Sequence, residues 1–383
     1  MARIGDVGKV VTGNTPKTSD TQNYTSNDIC FVKPSDIADG TVSYLDDTEF
    51  YISEYARTKA RVLPPKSVLV TCIGIIGKVA INNVECAFNQ QINAIIPADS
   101  KCLTEYLAYA IQNKQAEMQD VANAPVVPIL NKTQFSDIEI NLPSLTEQEE
   151  IVEKLNAVSR LIALRKEQLA KLDQLVKSRF IELFGDSVTN SMGWDTDAVI
   201  GVCDDIYGGG TPSKSHPEYY ENGDIPWVSS KDMKTDVLYD SQIKINQLGV
   251  DNSTAKMVPT NSVIMVIRSG ILKHTLPVAI NAVPITVNQD LKVFIPSERI
   301  LSIFLMYQFK MHEKDILSGV RAVTADNIEF DSLKKREIIV PPMELQEQFA
   351  VFVEQTDKSK MAIQKSLDKL ETLKKSLMQQ YFG

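Results

Sequence analysis

The sequence predicts an α+β protein made of two copies of one unit, a strand-rich globular domain followed by a long amphipathic helix. Three observations carry this reading. The chain falls on itself at a nearly constant offset. Short β-branched runs bounded by turn residues fill each globular part. Two stretches of about forty residues lack proline and glycine and repeat apolar residues at helical spacing.

The repeat comes first because it fixes the domain count. Thr15-Pro16 recurs as Thr211-Pro212, Gly13 as Gly209, and Ile29-Cys30-Phe31-Val32 as Ile225-Pro226-Trp227-Val228. Further along, Val79-Ala80-Ile81 recurs as Val278-Ala279-Ile280, Asn89-Gln90 as Asn288-Gln289, and Gln148-Glu149 as Gln346-Glu347. The helix ends align without a gap, so Leu172, Leu175, Phe184 and Gly185 meet Leu370, Leu373, Phe382 and Gly383. The offset drifts by only a few residues, as loop insertions would make it, and a tandem duplication accounts for the whole. A chain of 383 residues also exceeds what one core usually organises.

In each globular part, Val68-Leu69-Val70-Thr71 and Val263-Ile264-Met265-Val266-Ile267 read as strands. So do Ile92-Asn93-Ala94-Ile95-Ile96-Pro97 and Leu291-Lys292-Val293-Phe294-Ile295-Pro296, each stopped by proline. Short helices are expected over 103–114 and 300–312, beside a curled, mainly antiparallel sheet. A long helix is expected over 146–184, opened by Thr146-Glu147-Gln148-Glu149 in the manner of a capping box. Its apolar stripe is Ile151, Leu155, Val158, Ile162, Leu169, Leu172 and Val176, interrupted by Arg165. The second long helix, over 343–382, carries Phe349, Val353, Ile363, Leu367, Leu370 and Leu377, with Thr356, Lys360 and Lys374 as defects. Both stripes are narrow, as a two-helix seam requires. A helix of about 35 residues spans roughly 50 Å, longer than a domain of this size needs for cover. The alternative is a pair of ordinary surface helices lying on globular cores.

Catalytic chemistry finds little to work with. Gly74-Ile75-Ile76-Gly77-Lys78 has the wrong glycine spacing for a phosphate loop, and Val79 follows the lysine. A turn between two strands is the better reading. Gly208-Gly209-Gly210-Thr211-Pro212 places a proline where a dinucleotide-binding helix would begin. His216, His274 and His312 are unclustered, which leaves no basis for a metal site or a histidine triad. Asp46-Asp47 and Asp204-Asp205 read as solvated turn residues, and no methyl-transfer motif is present. The five cysteines, Cys30, Cys72, Cys86, Cys102 and Cys203, form no close pairs and suit reduced thiols in a cytoplasm. No apolar run suggests a membrane span or a signal peptide. Net charge is −9, and residues 1–143 alone hold 12 Lys+Arg against 16 Asp+Glu. That balance argues against indiscriminate nucleic-acid binding without excluding a basic face.

In order and in duplicate, these features resemble the specificity subunit of Type I restriction-modification systems. The likeness rests on Gly13-Asn14-Thr15-Pro16 and Gly209-Gly210-Thr211-Pro212, and on the Leu63-Pro64-Pro65-Lys66-Ser67-Val68-Leu69-Val70 stretch. It rests also on Phe88-Asn89-Gln90-Gln91 and Val287-Asn288-Gln289-Asp290. Last come Leu142-Pro143-Ser144-Leu145 and Val340-Pro341-Pro342-Met343, which lead into the helices. The resemblance implies two strand-rich target-recognition domains, at 1–143 and 186–341, separated by two long antiparallel coiled-coil helices at 144–185 and 342–383. It implies a pseudo-twofold internal repeat in which each domain reads one half of a bipartite double-stranded DNA site. Methyltransferase subunits, usually two, would dock on this chain, and motor–nuclease subunits would join them. S-adenosylmethionine and ATP with magnesium would belong to those partners, so no cofactor or metal is expected here. The sequence opens almost inside its first domain, so no helix-packing role is expected for an N-terminal common segment. A two-headed coiled-coil adaptor for proteins or glycans is the competing class, favoured only by the acidic charge.

Readout of base edges needs paired donors and acceptors on loops. The candidates in the first domain are Lys17, Lys33, Ser35, Lys78, Asn89, Gln90 and Gln91. In the second they are Lys214, Ser230, Lys231, Arg268, Lys273, His274, Asn288 and Gln289. Two heads that read different sequences should differ at base contacts. The duplicated Asn-Gln pairs are therefore equally suited to fastening a turn or gripping a phosphate. Arg268 and Lys273, in a loop whose size differs between copies, suit sequence-specific contact better.

Overall fold

Val, Ile and Phe on alternate or consecutive positions favour strands buried on one or both faces, and the chain forms them where those runs occur. The computed structural model describes residues 1–97, 101–122, 127–319, 321–322 and 326–383, with 321, 322 and 326 by backbone alone. The chain divides into two compact units, Met1–Lys166 with Gln364–Gly383, and Glu167–Ile363. Each unit is a head together with parts of both long helices.

The first head is built from β1 (Gly8–Thr12), β2 (Ile29–Val32), β3 (Val42–Leu45), β4 (Tyr51–Ile52), β5 (Val62–Leu63), β6 (Val68–Thr71), β7 (Val79–Asn82), β8 (Cys86–Phe88) and β9 (Ile92–Pro97). A five-stranded sheet runs β1-β9-β6-β7-β3 and a four-stranded sheet runs β4-β2-β8-β5. Most pairs are antiparallel, but β3 with β7 and β2 with β8 are parallel. The pairing is mainly antiparallel as expected, but the single curled sheet is corrected to a five-stranded and a four-stranded sheet, each with one parallel pair, beside a short pairing of Ala2–Arg3 with Glu139–Ile140. Residues distant in sequence decide such a pairing. Helix α1 (Thr104–Asn113) covers the larger sheet, its Tyr106, Leu107 and Ile111 fully buried.

The second head repeats this with β10 (Cys203–Gly208), β11 (Ile225–Val228), β12 (Val237–Leu238), β13 (Lys244–Ile245), β14 (Val263–Val266), β15 (Val278–Asn281), β16 (Thr286–Val287) and β17 (Leu291–Pro296). Its sheets run β10-β17-β14-β15-β12 and β13-β11-β16, again with one parallel pair in each, β12 with β15 and β11 with β16. A helix over Ser302–Met311 covers it as α1 covers the first head.

The long helices span Leu145–Phe184 and Met343–Phe382. Thr146 is not the cap. Ser144 accepts from the Glu147 N–H at 3.3 Å, and the Glu147 carboxylate accepts from the Ser144 N–H at 2.9 Å, so the capping box sits two residues earlier. Within the first unit Lys166 pairs with Glu371 at 3.1 Å, and the Lys154 ammonium lies 5.9 Å from the Tyr381 ring. Numbers fall on one helix as they climb on the other, which is antiparallel packing. The second unit shows the same, with Lys360 on Asp173 at 2.6 Å and Phe180 against Phe349. The stripe divides its work. Ile151 and Leu155 join the core of the first head, and Val176, Phe349 and Val353 join that of the second. Val158 and Leu367 are buried, whereas Ile162, Leu169, Leu172, Ile363, Leu370 and Leu377 are half-buried.

Candidate nucleic-acid interface

Several polar residues duplicated in the sequence turn out to be fasteners. Gln148 and Gln346 are both fully buried at the start of a long helix. Each accepts from a head backbone N–H at 2.9 Å, Leu103 for the first and Leu301 for the second. Each amide also donates to two carbonyls, Lys101 and Pro143 in one unit, Arg299 and Pro341 in the other. Asn82 and Asn281, fully buried, tie the strand end to the preceding turn in the same way. They accept from Ser67 N–H at 2.7 Å and Ser262 N–H at 2.9 Å, and donate to Pro64 and Pro259. The residue before each serine, Lys66 or Asn261, has positive φ (68° and 65°). The neighbouring bonds hold that backbone, which L residues adopt at some cost.

At one end of each head the repeated Gly-x-Thr-Pro loop closes over the Asn-Gln turn. Asn14 N–H donates to the Phe88 carbonyl at 3.0 Å, and Gly210 N–H to the Val287 carbonyl at 2.9 Å. A Cβ on Gly13 or Gly209 would fall within 2.1 Å of a backbone oxygen of that turn, so only glycine lets the two chains meet. Thr15 donates to Gln90 at 2.7 Å and Thr211 to Gln289. Asn89 and Asn288, each 8% exposed, bond to Gln91 and Asp290 two residues on. Tyr24 and Tyr220 hydroxyls hold the Pro16 and Pro212 carbonyls. In the first head, bonds also join this end to 32–37 and 72–78, since Asn89 N–H reaches the Val32 carbonyl and Cys72 N–H the Gln91 carbonyl.

Most of the sequence candidates therefore converge on one end of each head, though their side chains do different things. Lys17, Ser35, Lys214, Lys231, Lys273 and His274 are exposed there, and Ser230 is half-buried. The Lys78 ammonium turns inward to the Pro34 and Ile37 carbonyls at 3.2 and 2.9 Å, bracing the loop that carries Ser35. Lys33 lies over the Phe50 ring at 2.9 Å. Asn89, Gln90, Gln91, Asn288 and Gln289 are engaged in the turn bonds above. Arg268 is exposed and forked on Asp290 at 2.6–2.7 Å.

The corner around Arg268 is where the heads part company. Leu130 N–H bonds the Cys72 carbonyl and Ile328 N–H the Ile267 carbonyl, both at 2.9 Å, so the backbone is the same. The first head fills it with Ile73, Gln91 and Asn93, the last buried and bonded to Thr12 and the Leu130 carbonyl. In the second head those places hold Arg268, Asp290 and Lys292. Lys292, Phe330 and Lys334 were missed by sequence reasoning. The signal was the exchange of Asn93 for Lys292 between aligned strands, legible only once the repeat is laid out in register.

Among the described residues no group of His, Cys, Asp and Glu could hold a metal. The cysteines are free thiols, and burial pushes Cys72 up to about 11 and Cys86, Cys102 and Cys203 up to about 12, so they stay protonated. No described helix is long and apolar enough to cross a membrane.

Two like heads on long helices, each presenting a cluster of donor-bearing loops at one end, define a two-headed recognition protein. The family model for the Type I restriction modification DNA specificity domain matches residues 1–174 and again 193–375, and the chain belongs to that family. The Escherichia coli EcoR124I/EcoR124II Type I restriction enzyme specificity subunit is 34% identical over 238 residues, covering 61% of this chain and 54% of that one. The chain thus aligns with about half the length of that relative. The MjaIX specificity subunit of Methanocaldococcus jannaschii is 26% identical over 402 residues, covering 99% and 91%. Among solved structures, the S subunit from M. genitalium aligns over 100% of this chain and 95% of its own, with TM-score 0.59 and 12% identity. A chain from a structure of Type I restriction-modification assembly aligns over 99% and 96%, with TM-score 0.56 and 19% identity. These two share the fold. The role is that of a non-catalytic DNA specificity subunit.

Proposed function

We propose that each head reads one half of a bipartite DNA site, and that the long helices set the distance between the half-sites and dock two methyltransferase subunits. One observation carries the proposal. The fasteners Gln148/Gln346, Asn82/Asn281 and Gly13/Gly209 are the same in both heads, while the residues on the corresponding loop corner differ. A fixed frame with variable loop residues is what two readers of different sequences require. Methyl transfer and ATP-driven cleavage, with S-adenosylmethionine, ATP and magnesium, fall to the partner subunits, and the complex works in the cytoplasm. The acidic total is consistent with a chain whose hold on DNA is completed by those partners. The test is an exchange of residues 186–341 for the matching domain of a relative, followed by methylome sequencing of cells that supply the methyltransferase. One half of the methylated sequence should change and the other should persist. A rewritten sequence in both halves would overturn the two-reader assignment.

A further inference from the structure

The second head carries a basic corner that the first lacks. Lys292 projects from β17 and Lys334 from the short helix Phe330–Lys334, and their ammonium groups lie 4.4 and 4.8 Å from the centroid of the same Phe330 ring. The Arg268 N–H lies 3.3 Å from the carbonyl of Asp290, two residues before Lys292. Two nearby acids are taken up within the corner itself, Asp290 by Arg268 and Asp331 by Lys334 at 2.8 Å. Among the described residues no carboxylate pairs with Lys292. Its side chain is half-buried, resting on the ring and against Gly208, where an added Cβ would come within 2.5 Å of the ammonium. Burial, then the charges of Lys334 and Arg268, hold the Lys292 ammonium below its ordinary value. Two ammonium groups share the ring, and among the described residues Asp290 and Asp331 pair with Arg268 and Lys334, so the Lys292 charge stays uncompensated and suits an incoming anion.

We propose that Lys292 and Lys334, mounted on Phe330, together with Arg268 on the adjoining loop, form a phosphate-binding corner that grips the DNA backbone beside the half-site read by the second head, with no counterpart in the first head. The inference rests on the reading of this chain as a DNA-recognition subunit. Phosphate is favoured over a base edge because Lys292 offers a point charge on a rigid seat, not a fork of paired donors. In the first head Asn93 fills the equivalent strand position and its amide is spent inside the fold, so the two heads hold DNA unequally.

The test measures binding of the full chain to a short mixed-sequence DNA duplex by fluorescence anisotropy across a salt series, for wild type, Lys292→Met and Lys292→Arg. Methionine keeps the stem on the ring and removes the charge. The expected result is an affinity about threefold to tenfold lower, with the log–log salt slope smaller by about 0.9, restored by arginine. The melting temperature of free Lys292→Met should equal or exceed that of wild type, because a crowded, partly buried charge has gone. An unchanged slope in a folded variant overturns the corner while leaving the DNA reading intact. If inorganic phosphate stabilises wild type but not the variant and the DNA slopes agree, the corner takes free anions and the proposal also falls. Wild type that shows no salt-dependent binding, alone or with methyltransferase partners, removes the DNA reading itself.

Discussion

The two units dock a helix end onto a head at corresponding positions but with different chemistry. In the second unit the last turns of the first long helix deliver Phe180 and Phe184, both fully buried, among Phe304, Tyr307 and Phe349. Phe184 meets Phe304 at 4.7 Å and Phe180 meets Phe349 at 5.4 Å, edge to face. In the first unit the matching turns of the second long helix deliver Met378 and Phe382, both half-buried, against Tyr106 at 5.2 Å and near Ile151. The duplication kept the place of docking and let the packing drift. Aromatic pairs at these angles add to the burial they already contribute, so the second unit is the more firmly fastened.

Truncating the helix-end aromatics should separate the units most. Phe184→Ala should cost about 3–5 kcal/mol as a buried ring vanishes from a packed cluster, and Phe382→Ala about 1–2 kcal/mol because its ring already meets solvent. Hydrogen exchange resolved by head would show the loss in the second unit for the first variant and in the first unit for the other. Equal losses would erase the distinction between the docks.

The glutamine rivets should behave in the opposite way, alike in both units. Gln148→Ala and Gln346→Ala each strand a head N–H and two carbonyls at a buried joint, and each should cost about 1–3 kcal/mol by chemical denaturation. A large cost at one and none at the other would mean that the repeated glutamine has been kept for different reasons.

A smaller contrast lies in pH. His312, 3% exposed, has neither ring nitrogen hydrogen-bonded. Its counterpart in the first head is Lys114, a partly exposed lysine paired with Glu117. Burial, then the Arg336 charge, lower the His312 value, against weaker pulls from Asp315 and Asp186. Unfolded His312 takes up a proton more readily than folded His312, so acid favours unfolding. Stability of the second unit should be whole above the ordinary histidine value near 6.5 and fall as pH drops from there through the lowered one. Replacing it with phenylalanine should flatten that slope in thermal melts, leaving the first unit untouched. A slope that survives the replacement would assign the loss to other groups.

Much of this was legible beforehand. The helices over 146–184 and 343–382 were found within a residue because nothing inside them breaks the 3.6-residue period and each is bounded by Pro or Gly. The short helices over 103–114 and 300–312 lie where expected, a residue or two shorter at each end. Strands were read where β-branched residues cluster, and the hairpin of β6 and β7 around Gly74 and Gly77 matches the turn reading of that glycine pair. Lys78 and Asn89 illustrate the limit. Both looked like loop donors available to DNA, yet their atoms are committed to carbonyls and a side chain brought close by the fold.

By itself the sequence determined the duplication, the two helices, the strand-bearing heads and the family likeness, because periodicity and repetition are local and survive in one dimension. Tertiary structure decided which strands lie parallel, that the strands of each head divide among separate sheets, and that Gln148, Gln346, Asn82 and Asn281 are rivets. It also decided that Lys292 shares a ring with Lys334, more than forty positions away in the chain. A polar side chain has the same letter whether it faces a base, a phosphate or its own backbone. What it does follows from the partner within about 3 Å, and only folding chooses that partner.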